Sequence, residues 1–454
     1  MKLPLPISSN QARSKISSVE QLLNCYIEST GDRGKSPTVI YGVSGLTGFS
    51  NIPTAINRGI HYDSSFDADN YYSVVSNSLY KINSSGVETL LTTIDGSGSV
   101  NFSTNLGQLI ICTRDATTNN YVWDGTSAVN ILQEANSSSF INQRTIYYTD
   151  KKIYYSDLGD AATVGGLSFF SAEGSTDKTR WGITDRLELW IFGETTIEVW
   201  RNVTDPDNPF ERIGGVFIER GILSPYTVSQ VDNGVFWVGD DGVVYRPSSY
   251  TPSRISTHPV ERDINNLVDK ESLESLSYTE DGHPFYVLTC PEFTWVYDAS
   301  TQQWHERQSY TRNNWIGKYY TRAFDKHLIA GDGNGKTYEL SQDIFDEDGD
   351  YLIKKFVTPH VNAFPDSLSI SRMSLDIETG FGGECMVRHS KDGGYTWSAV
   401  RHKTLGDVGK YYTRYVENRF GESNTHGAVF ELSMSDSVQF AITLQDADGE
   451  RKTN

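Results

Sequence analysis

Apolar and polar positions alternate through the middle of the chain in a recurring unit: an apolar strand, a short polar turn, and a second strand ending in an aromatic residue. The first unit runs from Tyr71 to Val75, turns at Ser76-Asn77-Ser78 and continues as Leu79-Tyr80-Lys81-Ile82. Similar units follow at Leu109 to Cys112 with Tyr121 to Asp124, and at Thr145 to Tyr148 with Ile153 to Tyr155. Four more lie at Leu187 to Phe192 with Ile197 to Trp200, Val235 to Val238 with Val243 to Tyr245, Phe285 to Thr289 with Thr294 to Asp298, and His327 to Ala330 with Thr337 to Leu340. Their closing aromatics, Tyr80, Trp123, Tyr155, Trp200, Tyr245, Tyr297 and Tyr338, recur at about 32 to 52 residues, centred near the length of a propeller blade. A lone four-stranded sheet cannot bury both faces, whereas radial stacking gives each blade two apolar neighbours and leaves only short edges. The pattern therefore predicts an all-β chain: a β-propeller of about seven blades, followed by a C-terminal β-sandwich or jelly-roll-like domain.

Three segments follow from where the repeat begins and ends. Residues 1–50 read as an N-terminal arm that closes or bridges the propeller, with candidate strands at Leu22 to Glu28 and Thr38 to Tyr41. The Val19, Leu22, Leu23, Tyr26 spacing fits a short helix equally well. Residues 51–358 are the propeller. Residues 359–454 show alternation at Ser367 to Ile377, Glu384 to His389 and Val429 to Met434, as expected for a sandwich. A short helix is expected at Val260 to Val268, where Val260, Ile264, Leu267 and Val268 share a face.

Composition sharpens this picture. The 454 residues carry a formal charge of −19 and contain 26 Tyr, 9 Trp and 39 Gly, a mixture that favours strands and tight turns. No basic stripe of the kind that displaces counterions from nucleic acid is visible, and an acidic surface repels DNA. Cys25, Cys112, Cys290 and Cys385 form no C-x-x-C pair, so they read as buried thiols rather than a zinc site or a disulfide framework. The opening MKLPLPISSN lacks a signal-peptide core, and no apolar run is long enough for a membrane-spanning helix. No cofactor or metal is expected.

Several motifs invite chemistry, and each has a blander reading. Ala330 to Thr337, AGDGNGKT, matches a loose phosphate-loop pattern, but a strand rather than a helix follows its glycines, so a hairpin turn is expected. Phe345 to Asp350 and Asp446 to Glu450 mimic the start of a calcium loop without the closing bidentate Glu, and read as solvated acidic turns. His258 stands in a motif-like setting with no nucleophile elbow, so a turn-stabilising role is expected. Ser390-Lys391-Asp392-Gly393-Gly394-Tyr395-Thr396-Trp397 fits the Asp-box pattern S-x-D-x-G-x-T-W at every fixed position. Its physics is structural: Asp392 and the Ser390 and Thr396 hydroxyls serve the donors of a tight turn that Gly394 permits, while Trp397 packs beneath. Sialidases carry several such boxes, which raises an Asp-box sialidase-like glycan hydrolase, or a glycan-binding module, as the alternative function.

The run Phe192-Gly193-Glu194-Thr195-Thr196-Ile197-Glu198-Val199-Trp200, with Phe236-Trp237-Val238-Gly239-Asp240-Asp241-Gly242 and Arg254-Ile255-Ser256-Thr257-His258-Pro259, resembles the central signature of a phage family. The family is the packaged-DNA-stabilisation proteins, the tail hub or nozzle of lambdoid short-tailed bacteriophages. The resemblance extends through Ser371 to Gly380, the Asp box and Val429 to Leu432. It thins at the N-terminus, where Ser44-Gly45-Leu46 replaces the family's Pro-Gly-Leu. It implies a virion protein without enzymatic activity, assembled in the bacterial host cytoplasm as a hexameric ring of the tail. The implied ring sits below the head-to-tail adaptor, holds a tail needle or plug, adjoins a tailspike or fibre, retains packaged DNA and passes it during ejection. Gly193, Glu198, Trp200, Trp237, Gly239, Arg254, Ser256 and His258 are its signature residues, together with Ser390, Asp392, Gly394, Thr396 and Trp397 of the box. They are turn and packing types, so no catalytic residue is carried over.

Overall fold

The computed structural model describes residues 3–31, 34–113, 120–131, 134–172, 174, 177–205 and 208–452. Seven antiparallel four-stranded units follow one another around an axis. Blades 1 to 5 span residues 57–93, 101–131, 137–170, 179–218 and 229–254. Blade 6 comprises residues 274–306. Blade 7 combines three strands of residues 317–341 with the strand Gly45–Asn51, which pairs antiparallel with Lys336–Ser341. Each unit read from the sequence supplies the second and third strands of one blade, as in Asn70–Val75 with Ser78–Asn83.

Those second strands are apolar at nearly every position because both faces are covered. Leu109 and Ile111 pack towards blade 1, whereas Ile110 and Cys112 pack towards blade 3. Leu189 and Ile191 likewise face blade 3, and Trp190 and Phe192 face blade 5. Seven hydrophobic clusters fill the seven gaps, the last joining Leu328 and Ala330 of blade 7 to Ile60, Tyr71 and Ile82 of blade 1. All four cysteines are buried and free.

In six blades the hairpin between first and second strands has two residues, both at positive φ, as in Leu106-Gly107, Arg186-Leu187 and Asp281-Gly282. Mirror-image turns of this kind match the strand twist. Leu187, expected to open a strand, therefore sits in a turn and is exposed.

Residues 19–42 and 354–452 build a two-layer sandwich. One layer orders Cys25–Ser29, Thr38–Gly42, Ala441–Lys452, Ser367–Ile377 and Tyr415–Glu422. The other continues blade 6 itself: Gln303–Glu306 meets Val19–Leu23 in a parallel contact, followed by Lys354–Val357, Val429–Met434, Glu384–Ser390 and Arg401–Thr404. Leu22, Cys25, Ile40, Phe356, Met373 and Phe430 are among the side chains that fill the space between layers. Asn24, at φ 52, breaks the segment expected as one strand or a short helix into two strands that enter different layers. Its carboxamide donates to Gln308 and Ile353 carbonyls at 2.8 and 2.9 Å and accepts from the Gln308 amide at 2.9 Å.

Three further expectations change. The helix runs His258–Asn266, and Val268 lies beyond it in solvent because Leu267 leaves helical geometry at ψ 133. Asp446 to Glu450 belongs to the long strand Ala441–Lys452 rather than to a turn. Within Phe345 to Asp350, Glu347 is buried and accepts a 3.0 Å hydrogen bond from the Trp315 indole, so that turn is only partly solvated.

Leu46, fully buried against Tyr338, Leu340 and Trp315, tests ring closure. Leu46→Ala is expected to cost about 2–5 kcal/mol, whereas Leu90→Ala on an exposed outer strand should stay within about 0.5 kcal/mol. Urea unfolding midpoints of the two variants check this.

Candidate functional site

The first strands of neighbouring blades meet around the axis, and several of them carry small polar residues there. Ser137, Ser138 and Ser139 occupy that position in blade 3. Hydroxyls tie neighbouring first strands together: Ser103 to Ser138 at 2.6 Å, Ser139 to Thr184 at 2.7 Å, and Ser229 to Ser275 at 2.8 Å. Within the ring lies an open cavity of about 480 Å³, lined by His61, Phe102, Trp181, Tyr226, Tyr319 and Arg322 among others. That volume suits a small molecule and is far too small for a nucleic-acid duplex.

One end of this axis is bridged by side chains from several blades. Tyr319 and Ser99 hydroxyls lie 2.7 Å apart, and Ser99 donates to the Glu274 carboxylate at 2.9 Å. A serine hydroxyl has one proton, so Tyr319 is the donor of the first bond. Lys318 completes the bridge at 3.2 Å from Glu274 and 3.6 Å from Asp332. The Tyr226 hydroxyl donates to the Ser99 carbonyl at 3.4 Å. Arg58, itself buried, holds the loop that carries Ser99 by donating to the carbonyls of Gly98 at 2.7 Å and Ser76 at 2.9 Å. Burial raises the Tyr319 phenol well above its ordinary range, and the nearby Glu274 adds to it. No motif marks Ser99, Glu274 or Arg58, whose proximity exists only once the ring has closed.

The signature residues fall into separate turn clusters. Gly193 closes the hairpin between Glu188–Gly193 and Ile197–Asn202, and a side chain there would strike the Asp177 carboxylate. Asp177 accepts from the Thr195 and Thr196 amides at 2.8 and 3.0 Å and from both hydroxyls at 3.1 Å. No local motif marks this aspartate, since its partners lie 18 and 19 residues away. Glu198 is buried and accepts from the Gly174 amide at 2.6 Å and the Trp200 indole at 2.9 Å. Trp237 is wedged between Phe192 and Tyr245, with centroids 5.9 and 5.7 Å away. Gly239 opens a turn in which Asp241 accepts from the Val243 amide at 3.1 Å and the Tyr245 hydroxyl at 2.7 Å.

Arg254, Ser256 and His258 meet at the helix start. Ser256 accepts from the Val244 amide at 3.0 Å and donates to Glu261 at 2.7 Å, which Arg254 also binds at 2.7 Å. The His258 imidazole is 86% exposed beside Arg254, at 3.1 Å. The strand Glu384–Ser390 leads into the turn containing Ser390, Asp392, Gly394, Thr396 and Trp397. Asp392 accepts from the Ser390 hydroxyl at 2.7 Å, the Tyr395 and Thr396 amides at 3.0 and 2.9 Å, and the Thr396 hydroxyl at 2.6 Å. Gly394, at φ +93, donates to the Ser390 hydroxyl at 2.7 Å, and Arg388 lies over the Trp397 ring at 4.9 Å. Desolvation opposes ionisation of Asp392, yet the Thr396, Ser390 and Tyr395 hydrogen bonds win and bring its carboxyl down to about 2. Each of these carboxylates is engaged by donors of a turn or a neighbouring segment, an arrangement that fixes turns.

The phage-stabilisation family described as bacteriophage P22 Gp10, beta-propeller, matches residues 1–345. This chain belongs to that family. It is a phage structural protein by that membership. No curated protein sequence matches it. Similar solved structures include the computationally designed Ika8 protein, at 11% identity and TM-score 0.39, covering 66% of this chain and 100% of that one. Another is the Myceliophteria thermophila Cps50 (Swd1) β-propeller domain, at 9% identity and TM-score 0.43, covering 65% of this chain and 99% of that one.

Removing the turn acceptors in Asp177→Ala or Asp392→Ala strands several amides and is expected to cost about 1–2 kcal/mol each. The Asp392 effect has a pH signature. Its folded carboxyl lies below the ordinary value of about 3.9, so its stabilisation is complete above about pH 4 and fades as pH falls towards 2. The stability gap between the unmodified chain and Asp392→Asn, read by urea unfolding, should therefore shrink over that window; a gap indifferent to pH would contradict the assignment.

Proposed function

We propose that this phage structural protein is the tail hub, or nozzle, of a short-tailed virion. In this reading six copies form a ring between the head-to-tail adaptor and a needle or plug, with a tailspike or fibre nearby. The ring would retain packaged DNA and provide the ejection channel. The observation that carries the reading is the family match across residues 1–345, joined to a propeller whose own axis is bridged by Ser99, Glu274, Lys318 and Tyr319. DNA cannot thread one subunit, so a channel must lie between copies. A closed ring of identical chains needs a heterologous contact that returns on itself, which suits a rigid unit of fused propeller and sandwich.

The formal charge of −19 supports a second element. Repeated around a ring, acidic walls repel the phosphate backbone and forgo the counterion release that makes DNA binding tight, so DNA slides instead of sticking. Repulsion cannot hold DNA under pressure, and sealing falls to the plug. A non-enzymatic role accords with the closed turns around Asp177, Asp241 and Asp392.

Electron microscopy of purified particles, with immunodetection of this chain in them, tests the assignment. The expected result is a six-membered ring at the tail whose lumen is lined mainly by Asp and Glu. Particles that lack the chain would remove the virion role, and a lumen of Lys and Arg would remove the repulsion mechanism.

A further inference from the structure

Three sandwich loops converge at one end of the two layers. One, residues 378–383, joins Ser367–Ile377 to Glu384–Ser390; the second, residues 405–414, joins Arg401–Thr404 to Tyr415–Glu422; the third carries Lys35. Between them lies a cavity of about 440 Å³ bordered by Lys35, Asp376, Tyr411, Tyr412, Arg414 and Asp446 among others, the last already engaged by a partner. Tyr411 and Tyr412 are 70% and 84% exposed, unusual for neighbouring aromatics on a polar rim.

Tyr411 is nevertheless built in, and the chain next to it carries Tyr412. The Tyr411 ring lies directly over Gly380, where any side chain would collide with it, and Gly380 stands at φ +106. Phe381 meets the same ring edge-on at 6.3 Å. The Gly409 amide donates to the Gly380 carbonyl at 2.8 Å, and the Leu405 amide to Gly383 at 2.9 Å, so backbone bonds lock the two long loops together. Holding an exposed aromatic platform in place beforehand reduces the ordering cost of binding.

The polar groups differ in availability. Lys35 pairs with Asp376 at 2.6 Å, and Lys410 pairs with Asp407 at 2.5 Å. Arg414 is exposed and, among the described residues, its side chain has no hydrogen-bond or ion-pair partner. An unpaired guanidinium offers a planar fork for a carboxylate or phosphate, and tyrosine faces offer an apolar surface ringed by polar tips. A saccharide presents this combination of an apolar ring face, hydroxyls and, when acidic, one anionic group. A protein partner would be favoured by a more continuous apolar surface than this largely polar rim.

We propose that this cavity binds an anionic saccharide, with the sugar ring on Tyr411 and Tyr412 and its carboxylate or phosphate on Arg414. The site goes beyond the tail-hub reading and does not depend on ring assembly.

The test titrates the full chain with trigalacturonic acid, mannose 6-phosphate and neutral maltotriose, following saturation-transfer NMR and calorimetry up to about 10 mM. At least one of the two acidic sugars is expected to bind, with the carboxylate and phosphate arms telling the sources apart, and to weaken as salt rises. Maltotriose should bind at least about tenfold more weakly than that sugar. Arg414→Gln and Tyr412→Ala should each weaken the bound acidic sugar about tenfold while leaving thermal unfolding unchanged, since both side chains are exposed. Three results would overturn the proposal: no binding of either acidic sugar, equal binding of maltotriose, or affinities indifferent to both substitutions. If Tyr412→Ala lowers self-association of the chain and leaves sugar binding unaltered, the platform is a contact between copies and the saccharide site is refuted.

Discussion

Mutual coverage of blade faces is the constraint on which the rest of the molecule depends. A blade such as 101–131 has apolar residues on both sides of its second strand and is stable only with neighbours on both sides. A row of seven such sheets leaves two bare faces unless it closes, and the cluster between blades 7 and 1 shows the closure. The strand Gly45–Asn51 secures it by hydrogen bonds, since blade 7 takes its outer strand from the segment that precedes blade 1. The ends of the ring are thereby tied together by the ladder itself.

Closure also fixes the sandwich. The chain leaves the sandwich strand Thr38–Gly42 and enters blade 7 at Gly45, while the other layer runs without interruption into blade 6. Buried charges hold this seam. Arg307 lies over Trp315 at 3.8 Å and donates to Tyr278 at 3.0 Å and the Ser44 carbonyl at 2.6 Å. Burial raises the Glu347 carboxyl, with Arg307 pulling the other way. Lys354, pushed down to about 8 by burial, donates to the carbonyls of Phe345, Asp436 and Val438 at 3.0, 3.3 and 3.3 Å. Such groups are costly to strand, so they specify one relative placement of the two parts.

The exposed flank of the sandwich is sealed by a different device. Arg401 donates to the carbonyls of Asn418 and Arg419 at 2.6 and 3.0 Å, and Lys403 donates to that of Val416, so cations from one layer cap the edge of the other. An edge guarded in this way resists unplanned strand pairing, a useful property in a chain meant to assemble through chosen surfaces.

Local pattern was enough to reveal the repeat, the closing aromatics, the rejected phosphate loop as a hairpin and the turn character of the residues around Asp392. These depend on short apolar runs punctuated by turn residues and on short-range hydrogen bonds, both written in consecutive residues. What only the tertiary structure decided depends on contacts between distant segments. Asn24 divides one apolar run between two layers because Gln308 and Ile353 await its carboxamide. Asp177 finds its turn 18 residues later, Glu347 is buried under Trp315, and Ser99 reaches Glu274 across the axis only after seven sheets have closed. Alternation states which side of a strand is apolar; it carries no information about which remote partner will cover that side, and that choice made the bridged axis and the fused sandwich.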